Sequence, residues 1–525
     1  MTKLCKVLTS AILVLIVLTG CQSVDTEILK ADYLIQNGKV FLGDGSGLQS
    51  VDVAICDTKI CAILPSDESD KVKAANIIDA SGKIVSPGFI DPHTHTIQEL
   101  LSKDKNSNVN YLTQGVTTVV NGNDGGGVYK ISEMAAKLEQ NGIGTNVAMF
   151  VGHNAVRQAV LGKENRHATA AEIQKMQSLV QRAMEEGAIG LSSGLYYVPG
   201  SYAATQEVVE LAKVAKQYGG IYDTHLRDES TFDIGFIAAL QEAIDITNKA
   251  DIHLHLAHIK ALGVDAWGLS EQAIDIIEQA QKKGASISAD QYPWLASGTK
   301  LHNAIMPKWV MADSQQAFYQ RLNDPKLEAQ LISEITENIR RRGGPDALLV
   351  TAFKEKEIVG KTLEQLALEL QMSPAKAAMQ LVQRGAIRVA SFNMSEQDLT
   401  RFMTKPWVVT SSDGTNGHPR KYASFPKKFE TYVMANGVLS VEQFILGSSS
   451  RTAEILGLKD RGLLKQNYAA DIIIWDPKTY GANADFSVWN QLSSGIETVW
   501  VNGSMVIKNG KYQDKLAGKF LSKPH

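Results

Sequence analysis

Residues 87–95 read PGFIDPHTH, an apolar approach marked by proline and glycine that ends in two histidines one residue apart. On an extended strand side chains alternate between faces, so His93 and His95 point one way and Thr94 the other. Two imidazoles leaving one strand end on the same side are half of a metal site or a chance pair of packed histidines. The motif alone weighs these readings evenly, and the rest of the chain has to decide.

Downstream of this stretch, helical patterns such as TAAEIQKMQSLVQRAMEEG, TQEVVELAKVAKQYGG and LSEQAIDIIEQAQKKGA alternate with short β-rich runs. The runs after VSPGFIDPHTH are VTTVVNGND, NVAMFVGH, AIGLSSG, IYDTHLRD, HLHLAHIK, SISADQYP, AIRVASF and PWVVTSSD. About eight β-then-α units predict an α/β fold with a (β/α)8 barrel of TIM type. Nine candidates are one too many, and AIRVASF (386–392) is the weakest, because residues 297–372 before it lack the βα rhythm. That stretch is expected to be an insertion. At the two chain ends, YLIQNGKVFLGDGSGLQSVDVAICDTKICAILP and ETVWVNGSMVIKNGKY alternate apolar and polar residues around Asn-Gly and Asp-Gly turns. The expectation is a small β-sandwich domain built from 28–86 and 446–525, with the barrel spanning 87–445.

The chain has 525 residues, 44% hydrophobic and 21% charged, with a formal net charge of -3. This is ordinary globular composition with no basic patch, which speaks against nucleic acid as a partner. The first residues differ. A short basic start, MTKLCK, leads into the apolar run VLTSAILVLIVLTG and then Cys21. That layout predicts an export signal over 1–21, too short for a good spanning helix. LTGC resembles the lipobox of bacterial lipoproteins, which implies lipidation at Cys21. With Gln22 next, an outer-membrane tether facing the periplasm is the expected location. Cys56 and Cys61 flank a turn, and either a cross-strand disulfide or two buried thiols fits them.

In a barrel of this type, sites form at the C-terminal strand ends. His93 and His95 end the first candidate strand, Asp124 the second, His153 the third and His225 the fifth. His258 with Lys260 ends the sixth, Tyr292 the seventh and Asp413 the last. Buried charged groups cost stability unless paired or metal-bound, so their gathering on one rim argues for a site. Imidazole and carboxylate are ligands of zinc and its neighbours, and Asp413 is placed to move a proton. The set suits an amide hydrolase. His253 and His255 lie early on their strand and read as wall residues. His153 fits a satisfied core histidine equally well, and His302 and His418 fall in loops where exposure is expected.

These stretches resemble the amidohydrolase superfamily and, within it, the N-acyl-D-amino-acid deacylases. GFIDPHTH, GLSSGLYYVPGSYA, YDTHLRDES, LAHIKALG, DQYPWLASGT, KPWVVTSSDG and HPRKYASFPKKF carry the likeness in order and spacing. The resemblance implies that His225 and His258 hold a tightly bound zinc, and that His93 and His95 form a second, weaker position. It implies Asp413 as catalytic acid/base, with Lys260, Tyr292 and Arg420 around the substrate; Arg420 suits a two-bond clamp on a carboxylate. The departure is GNDG at 122–125, where these deacylases carry GNCG. Asp124 then stands where a bridging thiolate would be. A harder ligand weakens the zinc bias and would admit Mn2+ or Fe2+, in one or two positions. The substrate implied is a small N-acyl-D-amino acid. A dipeptidase releasing a C-terminal D-residue, a cyclic-amide hydrolase and a non-catalytic binding lipoprotein are the alternatives. The oligomeric state is not legible.

Overall fold

A computed structural model describes residues 28–523. The lipidation candidate Cys21 and the export segment lie outside the described residues. Eight strands form the barrel: β1 (Phe89–Asp91), β2 (Val116–Asn121), β3 (Asn146–Met149 continued by Val151–Gly152) and β4 (Gly190–Gly194). They are followed by β5 (Ile221–His225), β6 (Leu254–Leu256), β7 (Ile287–Gln291) and β8 (Val408–Thr410). All neighbours pair in parallel. The ring closes between β8 and β1 through a parallel bridge of Thr94 with Gly414. The backbone N–H of Asp413 also donates to the carbonyl of His93 at 2.9 Å.

The helices follow from their sequences. Ala170–Glu185 starts at a capping box between Thr169 and Glu172 and buries Met176, Val180, Ala183 and Met184 at helical spacing. Thr205–Gln217, Phe236–Ala250 and Ser270–Lys282 alternate with β4 to β7 in the same manner.

The ninth candidate strand is not part of the barrel. Arg388–Phe392 lies between Ala296–Lys300 and Leu348–Ala352 in an antiparallel three-stranded sheet. Helices pack on this sheet around a core of its own, including Leu331, Ile335, Leu348, Leu381 and Val389. The inserted unit therefore runs to Phe392, further than the 297–372 read from the sequence. AIRVASF has strand-forming residues, but its ladder is satisfied by two partners from the same insertion.

Strands from both chain ends share one seven-stranded sheet, which includes Lys39–Phe41, Ile84–Pro87, Ile472–Trp475, Ile496–Val501 and Ser504–Lys508. It packs on the four-stranded sheet containing Leu29–Gln36, Val51–Cys56, Lys59–Pro65 and Val72–Asp79. Ile35, Val53, Ile55, Val85, Ile472, Ile474 and Trp500 fill the sandwich between them. Cys56 and Cys61 form a disulfide across the hairpin turn, resolving the alternatives left by the sequence. Ile84–Pro87 of the sandwich runs directly into β1 through Gly88. A side chain at Gly88 would meet Thr117 Oγ1 at 2.3 Å, so the passage into the barrel requires glycine.

Candidate active site

Three rim residues sit in left-handed backbone conformations without being glycine: Asp124 at φ 58°, His258 at φ 35° and Asp413 at φ 47°. Such conformations cost energy and persist only where surrounding bonds hold them. Here the bonds are visible. The N–H of His258 donates to Asp290 Oδ1 at 3.0 Å, and the N–H of Ser412, beside Asp413, donates to Asp91 Oδ1 at 3.1 Å.

The result is convergence. His93, His95, Asp124 and Asp413 form one group and Asp124, His225 and His258 a second, with ligand atoms in each within 4.8 Å of one another. Asp124 belongs to both. Its Oδ1 faces His93 Nε2 at 3.5 Å, His225 Nδ1 at 3.7 Å and His258 Nε2 at 3.2 Å. Its Oδ2 faces His95 Nε2 at 3.5 Å. Asp413 Oδ1 lies 3.2 Å from His95 Nε2 and 3.7 Å from His93 Nε2.

These residues fit divalent metal. Both ring nitrogens of His93 and Oδ1 of Asp124 are buried, and none makes a hydrogen bond among the described residues. His225 Nδ1 and His258 Nε2 confront each other at 2.9 Å. Buried polar atoms are ordinarily satisfied. Lone pairs of four imidazoles and a shared carboxylate aimed at one space are satisfied together by cations taking nitrogen and oxygen ligands.

Protons respond to the same crowding. Burial pushes His225 down to about 4. Burial and Lys260 would lower His258, but Glu229 and Asp124 outweigh them and lift it to about 9. Burial would raise Asp413, yet Arg420, His258, His95 and His93 hold its carboxyl well below the usual range. Asp413 is therefore held ionised.

The other expected residues line the adjoining cavity, together with Tyr196, Tyr197, Phe232 and Thr299. Arg420 is buried, its Nη1 2.8 Å from Asp413 Oδ2 and its guanidinium 4.7 Å above the Tyr292 ring. The Lys260 ammonium is engaged by Glu229 Oε1 at 2.6 Å, His258 Nδ1 at 2.7 Å and the His258 carbonyl at 2.8 Å. An ammonium has three donors, so in this arrangement Lys260 acts on a ligand through its charge.

His153 belongs to neither group sharing Asp124; it lies buried against Glu207 at 2.8 Å. His253 contacts Ser288 at 2.7 Å, and His255 is no wall residue: its ring points into the barrel, with Nε2 3.1 Å from Asp290. His418 is a correction. Instead of an exposed loop residue it is 1% exposed, its Nε2 against the Ala296 carbonyl and its Nδ1 accepting from the Arg420 N–H. His302 is also partly covered, on the short helix Leu301–Ile305 beside Phe318. Sequence reasoning missed Glu229, which faces both His225 and His258 at 3.7 and 3.2 Å. The spacing His225 to Glu229 in HLRDE was the available signal. It also missed Asp290, hidden one residue before the strand's end.

The amidohydrolase family model matches residues 76–304. D-aminoacylase of Alcaligenes xylosoxydans xylosoxydans is 30% identical over 94% of this chain and 98% of its own. N-acyl-D-aspartate deacylase of the same organism is 29% identical, covering 93% and 94%. A solved structure of N-acyl-D-glutamate deacylase from Bordetella bronchiseptica, complexed with zinc and a phosphonate inhibitor, superposes with a TM-score of 0.78 at 27% identity. It covers 94% of this chain and 100% of that one. The fold and site thus define an amidohydrolase. Within that class, the chain belongs to the D-aminoacylase family of N-acyl-D-amino-acid deacylases.

Proposed function

We propose that this protein is a zinc-dependent hydrolase that removes the acyl group from N-acyl-D-amino acids. The observation that carries the reading is Asp124, one carboxylate joining two imidazole pairs with Asp413 beside it. The D preference is taken from the relatives, whose names specify D-amino acids. His225, His258 and Asp124 would hold one ion, and His93, His95 and Asp124 a second. Bound zinc would supply a Lewis acid for the amide carbonyl and lower the pKa of water.

The chain's own residues supply the rest. Asp413, kept ionised, accepts a proton from the attacking water and passes it to the leaving nitrogen as the C–N bond breaks. The water oxygen ends on the acyl carbon, giving a carboxylate and a free amine. Arg420, whose Nη1 lies 2.8 Å from Asp413 Oδ2, holds the carboxylate in place. Arg420, Tyr292 and the charge of Lys260 receive the substrate's α-carboxylate.

The deciding experiment follows amine release by the fragment beginning after Cys21, from matched N-acetyl-D- and N-acetyl-L-amino acids, with metal counted. Chelator-sensitive release from the D series alone is expected. Release only from dipeptides or cyclic amides would overturn the reading. The envelope location rests on residues 1–21. We read Cys21 as lipidated, and Cys21→Ala should move the protein from the membrane to the soluble fraction.

A further inference from the structure

Two neighbouring barrel strands carry a ladder of polar side chains that the chemistry at the rim leaves unused. His253 and His255 lie two apart at β6, and Ser286, Ser288 and Asp290 two apart at β7. Residues two apart on a strand share a face, and the parallel register sets His255 beside Ser288. The side chains therefore meet one after another. At the floor of the barrel the exposed Ser286 places its Oγ 2.6 Å from His253 Nδ1. His253 Nε2 lies 2.7 Å from Ser288 Oγ, which lies 2.8 Å from His255 Nδ1. His255 Nε2 reaches Asp290 Oδ2 at 3.1 Å, and that same oxygen faces His93 Nδ1 at 3.7 Å.

Hydrogen-bond chemistry gives this chain one direction. An ionised carboxylate only accepts, so His255 donates to Asp290 from Nε2, and a neutral imidazole that donates from one nitrogen accepts at the other. Ser288 then donates to His255 Nδ1 and accepts from His253 Nε2, and Ser286 donates to His253 Nδ1. Burial, with His255 and Lys523 nearby, lowers His253 to about 4, which keeps that ring neutral. Every proton of the chain points toward Asp290. By the same rule His93 turns its Nδ1–H toward Asp290 Oδ2, which leaves the Nε2 lone pair facing Asp124. The other oxygen, Oδ1, takes the N–H of His258 at 3.0 Å and the Ser411 hydroxyl. One oxygen serves the ring of His93 and the other the backbone of His258.

We propose that His255, backed by Ser288 and His253, is a positioning residue for the second metal position. Through Asp290 Oδ2 it fixes the tautomer and ring orientation of His93, and with them the affinity of the His93–His95 pair for its ion. A histidine binds a cation through one specified nitrogen, and the partner of its other N–H sets which one. The proposal rests on the metal-dependent deacylase reading above.

The test titrates zinc against a competing chelator, with bound metal counted per chain. His255→Phe keeps a ring and removes both nitrogens. It should weaken the second position about 10–100-fold and leave the His225–His258 position unchanged. His255→Gln, able to donate to Asp290 and accept from Ser288, should recover most of the loss. In a His95→Ala background, where the His225–His258 position remains, His255→Phe should change nothing. Equal weakening of both positions marks a general effect on barrel packing and overturns the proposal, as does an unchanged second position. A third ion per chain, lost in Asp223→Asn, overturns it too, because His93 Nδ1 would then be a ligand beside Asp223 and Asp290. Should His255→Phe fail to fold, Ser288→Ala decides, with a smaller loss expected at the second position alone. No metal in the unaltered protein brings down the deacylase reading and this proposal together. Metal bound with no response to His255→Phe overturns the proposal alone.

Discussion

The two interiors of this molecule are built on opposite terms. The sandwich is filled mainly by apolar side chains, among them Ile35, Val53, Ile472, Ile474 and Trp500. The barrel axis instead buries Asp91, Asp223 and Asp290 beside His93 and His255. Burial raises Asp91 and Asp223 to about 7, whereas His255 and His93 overcome burial at Asp290 and hold it ionised. The sandwich gains stability from its core. The barrel gives some up to hold carboxylates and imidazoles in fixed positions, a cost that a purely structural core would not carry.

This contrast can be broken most forcefully at Asp413. Asp413→Asn, which keeps an oxygen for Arg420 but cannot take up a proton, should lower kcat by about 10²–10⁴-fold while still binding ligand, the mark of a proton-transfer group. A loss below tenfold would remove it from the chemistry. Asp124→Ala should abolish retention of one or both metals, read by metal analysis after gel filtration. Asp124→Cys should keep metal and favour zinc over manganese, because the softer thiolate replaces the carboxylate.

The opposite outcome is expected in the sandwich. Ile472→Ala should cost about 2–5 kcal/mol in denaturant unfolding, while the folded fraction keeps its specific activity. Activity falling faster than the folded fraction would show that the two interiors are coupled. The smallest effect concerns Lys428, buried on the helix after β8, where burial depresses its amine from 10.5 to about 7. A base depressed by folding binds fewer protons folded than unfolded between these values. Stability should therefore rise with pH from about 7 toward 10.5. Lys428→Met should flatten that slope and stabilise the protein at pH 7, as measured by urea midpoints at pH 7 and 9.

The barrel and the rim were legible because both rest on periodic or positional rules. Alternating β and α runs name the architecture, and strand ends name the rim, so His93, His95, Asp124, His225, His258 and Asp413 could be read one by one. What escaped depended on pairing between distant segments. AIRVASF carries the same residues as a barrel strand, and only its partners Ala296–Lys300 and Leu348–Ala352 exclude it. His418 lies in a loop by every local sign, yet the insertion sheet covers it through Ala296. Glu229 and Asp290 sit off the strand ends, reaching the histidines from the side.

Gly88 leads from the sandwich strand Ile84–Pro87 into β1, and that strand pairs on one side with Lys39–Phe41 and on the other with Ile472–Trp475. During synthesis the second partner leaves the ribosome nearly four hundred residues after the first pair, so one apolar edge stays bare while the whole barrel is being made. A bare strand edge invites other chains to add to it. Nascent or C-terminally cut forms should therefore clump through this strand, and holding the edge until release becomes a task for the cell's chaperones.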